Sequence, residues 1–261
     1  MRSNHEIDYK ISGEELQCIE IELDPQETVV AESGSFMMME DGIQMETIFG
    51  DGSSSKNTFM NKLFSAGKRL LTGESLFMTA FTNTGQGKKH ITFAGPYTGK
   101  IIPLDLSLLN GRIICQKDSF LCAAKGVSVG IEFQRKLGTG LFGGEGFIMQ
   151  KLEGDGMAFV HAGGNIIEKN LQPGELIKID TGCIVAFTSG VEYDIQFVGG
   201  IKNTIFGGEG LFFATLRGPG KVWVQSLPIS RLAGRILSYG SGSRKEEGSI
   251  LGGLGNLIDG D

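Results

Sequence analysis

A short signature that begins with glycine and glutamate occurs three times along this 261-residue chain. The copies begin at Gly73, Gly144 and Gly208, and their glutamates are 71 and 64 residues apart. Each copy is followed by an apolar run, a glycine-containing turn and a second short apolar run. Two short apolar runs around such a turn are typical of a β-hairpin. The spacing therefore indicates one β-rich unit that is repeated three times.

A second element repeats along the chain, and it links the first and third copies of the unit. Residues 23–27 match residues 171–175 with an offset of 148 and no gap, and a middle copy lies within 109–126. Beside the first copy, residues 19–23 alternate between apolar and acidic side chains. This alternation is typical of a strand with one buried face.

The order of the two elements predicts how the units are assembled. The second element precedes the first hairpin, and nothing that matches it follows the third. We therefore expect residues 7–48 to complete the unit begun by 207–229, beside units at 72–133 and 143–198. Such closure removes exposed sheet edges. The predicted fold is all-β, with three pseudo-threefold-related units closed into one body.

This body is predicted to be a single domain spanning residues 1–238. One short helix is expected near residues 57–70, where apolar residues recur at helical spacing beside lysines and an arginine. Residues 239–261 begin with a Gly/Ser-rich stretch and are predicted to form a flexible tail. The 41 glycines are then explained largely by turns that are repeated in every unit.

The repeated segments resemble a known family. Residues 71–77, 142–147 and 206–212, together with 31–37, are similar to hallmark segments of the "altered inheritance of mitochondria" mitochondrial-biogenesis family, the twenty-fourth of its naming series. The resemblance covers roughly residues 5–237. It implies a fold like that of the tryptophan RNA-binding attenuation protein, which is similar to a double-stranded β-helix. It implies no activity, because bacterial members are uncharacterised and mitochondrial members are linked only to inner-membrane organisation.

Nucleic acid is not an expected partner, although the attenuation protein binds RNA through basic residues on the rim of a ring. The net charge of this chain is −6, and only one turn carries a basic pair, Lys88 and Lys89. The equivalent turns, at 153–155 and 217–219, do not repeat it. RNA binding depends on repeated neutralisation of phosphates, so binding of RNA or of a small ligand is a lesser alternative.

The sequence carries no recognisable catalytic constellation. The three histidines are not clustered, the four cysteines form no C-x-x-C, and neither a nucleophile elbow nor a P-loop is present. Glu74, Glu145 and Glu209 are weak candidates for a metal site, because three symmetry-related carboxylates can hold a hard cation. The competing interpretation is that they bond to backbone or lysine at a strand entrance. We therefore expect a non-enzymatic protein without cofactor, with buried, reduced cysteines.

Segments that mix basic and large apolar residues precede the three signatures. Such segments suit an anionic membrane surface or a groove on a partner protein. Alternatively, they pack over the end of the body or form a subunit interface. The candidate interaction residues are Phe59, Leu63, Lys68, Arg69, Phe142 and Phe206.

The sequence thus favours a non-enzymatic scaffold or interaction protein that forms homo-oligomers. Peripheral membrane association through the basic and apolar segments is the alternative. The N-terminus has no apolar signal region and no apolar run reaches the roughly 18 residues of a membrane helix. The expected location is therefore cytoplasmic, with peripheral membrane association as the variant.

Overall fold

The structure is a computed structural model, and it describes residues 4, 6–32, 34–49, 77–135, 147–198 and 211–242. These residues form 19 strands and one α-helix, which confirms the all-β prediction. The helix predicted near 57–70 lies outside the described residues. The helix that is described, α1 (Ile229–Gly242), was not predicted, and it extends past the position at which the tail was expected to begin.

The strands are short and follow one another closely along the chain. In chain order they are β1 (Asp8–Ser12), β2 (Cys18–Leu23), β3 (Thr28–Glu32), β4 (Phe36–Met39), β5 (Ile43–Phe49), β6 (Phe77–Asn83), β7 (Lys89–Ala94), β8 (Gly99–Asp105), β9 (Arg112–Gln116), β10 (Phe120–Ala124), β11 (Ser128–Arg135), β12 (Phe147–Glu153), β13 (Met157–Gly163), β14 (Ile166–Leu171), β15 (Leu176–Asp180), β16 (Ile184–Thr188), β17 (Glu192–Val198), β18 (Leu211–Arg217) and β19 (Gly220–Gln225).

The strands form four antiparallel sheets. The first has the order β1-β2-β7-β4 and the second β5-β6-β3-β10-β13-β8. The third has the order β11-β12-β9-β16-β19-β14 and the fourth β15-β18-β17. Over the described residues, none of these sheets closes into a barrel. The first and fourth sheets are called the end sheets below.

Strand pairing follows one scheme in three consecutive sets of six strands, β2–β7, β8–β13 and β14–β19. Within each set, the sixth strand lies between the first and the third, and the fifth strand lies between the second and the fourth. Pairing of β3 with β10 and of β9 with β16 joins successive sets. This grouping differs from the predicted units, because the described strands within 7–48 pair with β6, β7 and β10 and not with those at 211–229. The division into a body over 1–238 and a tail stays a prediction.

The prediction of three β-hairpins is wrong, because the two strands of each predicted hairpin do not pair with each other. The predicted strands are present as β6–β7, β12–β13 and β18–β19, and each pair is joined by the expected glycine turn. However, the two strands of each pair lie in different sheets: β6 pairs with β3 and β5, whereas β7 pairs with β2 and β4. The turn therefore carries the chain into the neighbouring sheet, although its glycine-rich sequence is typical of a hairpin turn.

Three apolar cores fill the spaces between successive sheets. Val29 and Ala31 of β3 belong to the core shared by the first and second sheets, whereas Val30 between them belongs to the core shared by the second and third. Likewise, Ile113 and Ile114 of β9 face different cores. The central strands of both six-stranded sheets are thus buried on both faces. The alternation predicted for residues 19–23 is confirmed, since Ile19, Ile21 and Leu23 are fully buried.

Candidate functional site

The interaction and metal candidates drawn from the sequence all lie outside the described residues. These are Glu74, Glu145 and Glu209 for a metal, and Phe59, Leu63, Lys68, Arg69, Phe142 and Phe206 for interaction. The structure therefore does not test whether the three glutamates form a ring. Among the described residues, the feature with functional potential is a strand that the sequence analysis did not single out.

Strand β4 is an apolar edge strand that lies open to solvent. Phe36, Met37, Met38 and Met39 are 42, 55, 53 and 39% exposed. The strand pairs with β7 on one side, and no described strand pairs with its other side. A sheet edge of this kind presents unpaired N–H and C=O groups to any strand that can reach it.

The equivalent strands of the other two sets are buried, apart from Thr188 at the end of β16. Strands β4, β10 and β16 each show a register shift just after their first residue, where they pair with the sixth strand of their own set. This common irregularity makes Met38 equivalent to Cys122 and Ala186, both of which are fully buried. The same alignment makes Met37 (55% exposed) equivalent to Leu121 (1% exposed).

Strand β15 is the second open edge that has buried equivalents. It pairs with β18 alone among the described strands, whereas its equivalents β3 and β9 each pair on both sides. Leu176 at its start is 43% exposed, while Ile177 and Ile179 pack against the core of the fourth sheet. The two end sheets therefore each carry one strand whose counterparts are central strands elsewhere in the molecule.

A shallow groove of about 250 Å³ runs beside β4 on the outer face of the first sheet. Its walls combine the thioethers of β4 with a cluster of acidic residues around His90. The ring of His90 lies 3.3 Å from Glu40 through Nδ1 and 3.3 Å from Glu22 through Nε2. The lining residues are Glu20, Met38, Met39, Glu40, His90 and Thr92.

Two carboxylates beside this groove, those of Glu22 and Glu40, are held in their ionised form. The Lys88 ammonium donates a hydrogen bond to Glu22 and lowers the pKa of that carboxyl. The backbone N–H of His90 donates to Oε2 of Glu40 at 3.1 Å and lowers the pKa of that side chain. Glu22 thereby neutralises part of the basic pair that the sequence places at this turn. No group of three His, Cys, Asp or Glu side chains within the described ranges is arranged to hold a metal ion.

His161, Cys115 and Cys122 are buried in the interior of the molecule. His161 is 1% exposed and contacts the Tyr97 ring edge-on at 4.7 Å between centroids, and burial lowers the pKa of its imidazole. All four cysteines are free thiols. Burial raises the pKa of Cys115 to about 12 and that of Cys122 further. The prediction of burial holds for these two, whereas Cys18 and Cys183 are half-buried.

Comparison with known proteins reveals relatives but no established activity. The chain is 30% identical over 225 residues to the uncharacterized protein M6_Spy0233 of Streptococcus pyogenes serotype M6, which covers 85% of this chain and 86% of that protein. It shares its fold with the crystal structure of protein SPYM3_0169 from Streptococcus pyogenes, at a TM-score of 0.70 and 24% identity. That match covers 89% of this chain and 99% of the other.

Two further findings bear on the nature of the chain. Among the described residues, no helix has the length and apolar character that crossing a membrane requires. Residues 9–227 match the family described as "Mitochondrial biogenesis AIM24". The match extends over most of the chain and agrees with the relationship to the streptococcal protein. The chain therefore belongs to the AIM24 family.

Proposed function

We propose that this protein is a non-enzymatic scaffold that acts by assembling with further copies of itself. The observation that carries the proposal is the exposure of strand β4, where four consecutive large apolar side chains stand at a sheet edge. Folded proteins usually protect such edges with charges, prolines or a covering element. An edge that is both open and apolar is instead suited to pairing with another strand.

The other end of the same sheet supports this interpretation. Its edge strand β1 has mostly polar side chains and covers β2, whose equivalents β8 and β14 are edge strands. The chain thus covers one edge of the first sheet with a polar strand and leaves β4 apolar. Pairing through β4 would also cover part of the groove around His90, because Met38 and Met39 belong to both features.

Size-exclusion chromatography with light scattering tests the proposal directly. The monomer mass is 28.0 kDa, and we expect the purified full chain to elute as a larger, concentration-dependent species. Met38→Lys should shift the mass toward that of the monomer, because a charge at the edge opposes strand pairing. The matched control is Met45→Lys: Met45 is 61% exposed on β5, an edge strand whose equivalents β11 and β17 are edge strands too. A monomeric wild-type protein at high concentration contradicts the proposal.

Peripheral membrane association is a second candidate, and a separate observation favours it. The last turns of α1 expose Ile236, Leu237 and Tyr239, at 63, 70 and 81%, close in sequence to Arg235. A helix with exposed apolar residues beside a basic residue can lie on an anionic bilayer. Flotation with phosphatidylserine-containing vesicles tests this function. Ile236→Glu should then abolish flotation, whereas Met45→Lys should leave it unchanged.

A further inference from the structure

Strands β4 and β15, the two described edge strands whose counterparts are central strands, correspond to the two sides of a junction that occurs twice within the chain. Strand β4 is equivalent to β10 and β16, and β15 is equivalent to β3 and β9. In the structure β10 pairs with β3, and β16 pairs with β9. We infer that β4 of one copy pairs antiparallel with β15 of a second copy. This inference rests on the proposed assembly and specifies its interface.

The two internal junctions share one register, which fixes the register of the third. Cys122 lies opposite Ala31 where β10 meets β3, and Ala186 lies opposite Cys115 where β16 meets β9. On β4, the residue equivalent to Cys122 and Ala186 is Met38. The residue 148 positions after Ala31, by the offset of the sequence repeat, is Ile179 on β15. Met38 of one copy therefore lies opposite Ile179 of the next.

Pairing in this register completes a sheet of the same construction as the two internal ones. Its strand order is β17-β18-β15 from one copy followed by β4-β7-β2-β1 from the other. The second sheet has the equivalent strands in the same order, β5-β6-β3 followed by β10-β13-β8, and lacks only a counterpart of β1. Strand β4 then occupies a central position that is covered on both faces. Strands covered in this way carry continuous apolar runs in place of alternating ones.

The sequence of β4 agrees with such a position. Phe36-Met37-Met38-Met39 does not alternate, although a strand with one solvent face normally does. The fully buried β10, with the sequence FLCAA, does not alternate either. In contrast, β2 on the same sheet alternates between buried and half-exposed residues along its whole length. Exposure of β4 in the isolated chain thus contrasts with a composition that suits complete burial.

Strand β15 carries a charged residue at one position where its counterparts β3 and β9 are apolar, and the inferred pairing offers that charge a partner. Lys178 stands where β3 has Val30 and β9 has Ile114. In the inferred register Lys178 lies opposite Met39 and diagonal to Asp41 of the other copy, a distance that long side chains span. The aliphatic part of the Lys178 side chain can then pack against the thioether of Met39, while its ammonium lies near the carboxylate of Asp41. The inferred register thus brings a cationic residue of one edge near an acidic residue of the other.

The pairing is intermolecular because the two edges of one chain are in different end sheets. Strands β4 and β15 belong to the first and fourth sheets, with two six-stranded sheets between them, and they are not paired within the chain. An interface between two different edges is heterologous, so each added copy presents a fresh open edge. The assembly then continues until it closes as a ring or extends as a filament.

Cysteine cross-linking between separately purified variants tests the pairing. In a Cys18→Ser, Cys183→Ser background, Met38→Cys and Ile179→Cys proteins are mixed and oxidised mildly. A second mixture uses Met39→Cys and Lys178→Cys, since adjacent pairs in an antiparallel ladder differ in their suitability for a disulfide. We expect a disulfide-linked dimer joining the two substituted positions in at least one mixture. Peptide mass spectrometry identifies the linked residues. Met38→Cys mixed with Leu176→Cys is the out-of-register control and should link at least about tenfold less, because the residues are offset by three positions.

The possible outcomes separate the inference from the proposed function. Cross-linking in the two in-register mixtures at the level of the control overturns the pairing, whereas a wild-type oligomer by light scattering would leave the scaffold function intact. A disulfide that forms only within one chain of the Met38→Cys, Ile179→Cys double variant, at monomer mass, also overturns the inference. A monomeric wild-type protein overturns both.

Discussion

Strands β4 and β10 occupy the same place in the repeated pairing scheme but have opposite surroundings. Strand β10 is buried along its whole length between two neighbouring strands. Strand β4 is exposed along its whole length and pairs with one of the described strands. Both consist almost entirely of apolar residues. The comparison indicates that apolar composition follows the position in the scheme rather than the exposure in the isolated chain. This difference supports the proposed assembly through β4.

Thiol reactivity offers the sharpest test of this comparison, because β10 already contains a cysteine. Met38→Cys introduces a thiol at the position equivalent to Cys122. In dilute protein, we expect the new thiol to react with a disulfide reagent at least about 10³-fold faster than Cys122, which becomes accessible only on unfolding. Stopped-flow and slow-time absorbance measure the two rates. Comparable rates would show that β4 is covered in the isolated chain.

Truncation of equivalent side chains should affect the free energy of unfolding very differently. Leu121→Ala removes a side chain that is 1% exposed, and we expect it to lower the free energy of unfolding by about 2–5 kcal/mol. Met37→Ala removes one that is 55% exposed, and its effect in dilute protein should stay within about 0.5 kcal/mol. Urea unfolding followed by fluorescence of Trp223 measures both. Similar losses for the two variants would contradict the difference in burial.

The buried histidine should make the interior sensitive to acid. Because burial lowers the pKa of His161 in the folded state, the unfolded chain binds its proton first as the pH falls. Stability should therefore decrease from about pH 6.5, the ordinary histidine value, down to the lowered pKa of the folded state. The urea midpoint measured at pH 7.5 and pH 5.5 tests this, and His161→Phe should reduce the decrease. An unchanged pH dependence in that variant would assign the acid sensitivity to other groups.

The charged cluster on the exposed face of the first sheet should contribute least. Lys88 pairs with Glu22 at the surface, where water screens the interaction. Lys88→Ala should therefore lower the free energy of unfolding only slightly, and by less at high salt. Thermal unfolding in 50 mM and 500 mM NaCl provides the measurement. A loss comparable with that of Leu121→Ala would mean that the end sheet depends on its surface charges.

The sequence predicts the strands and their inward faces better than their partners. Alternation identified β2 correctly, and the apolar runs around the glycine turns are strands as expected. Their pairing was predicted wrongly, because a turn between two sheets and a turn within a hairpin use the same glycine-rich residues. Which of the two forms depends on distant strands such as β2 and β3, and local sequence does not report it.

The candidate site was missed for a related reason. The run Phe36-Met37-Met38-Met39 carries a signal, since an edge strand on a half-exposed sheet should alternate. That signal gains meaning only when β4 is known to be an edge, which follows from the pairing of all four sheets. The basic and apolar segments that were proposed instead, and the three signature glutamates, lie outside the described residues and stay predictions.

The joining of one set of strands to the next through a shared register has a consequence for how such chains can vary in length. Removal of β8–β13 would bring β3 next to β16, which are strands of the same two kinds that meet at both internal junctions. The open edges at which the shortened chain could pair with another copy would still be β4 and β15. The number of six-strand sets can therefore change by duplication or loss, while the two edge strands β4 and β15 and the pairing surface they present stay the same.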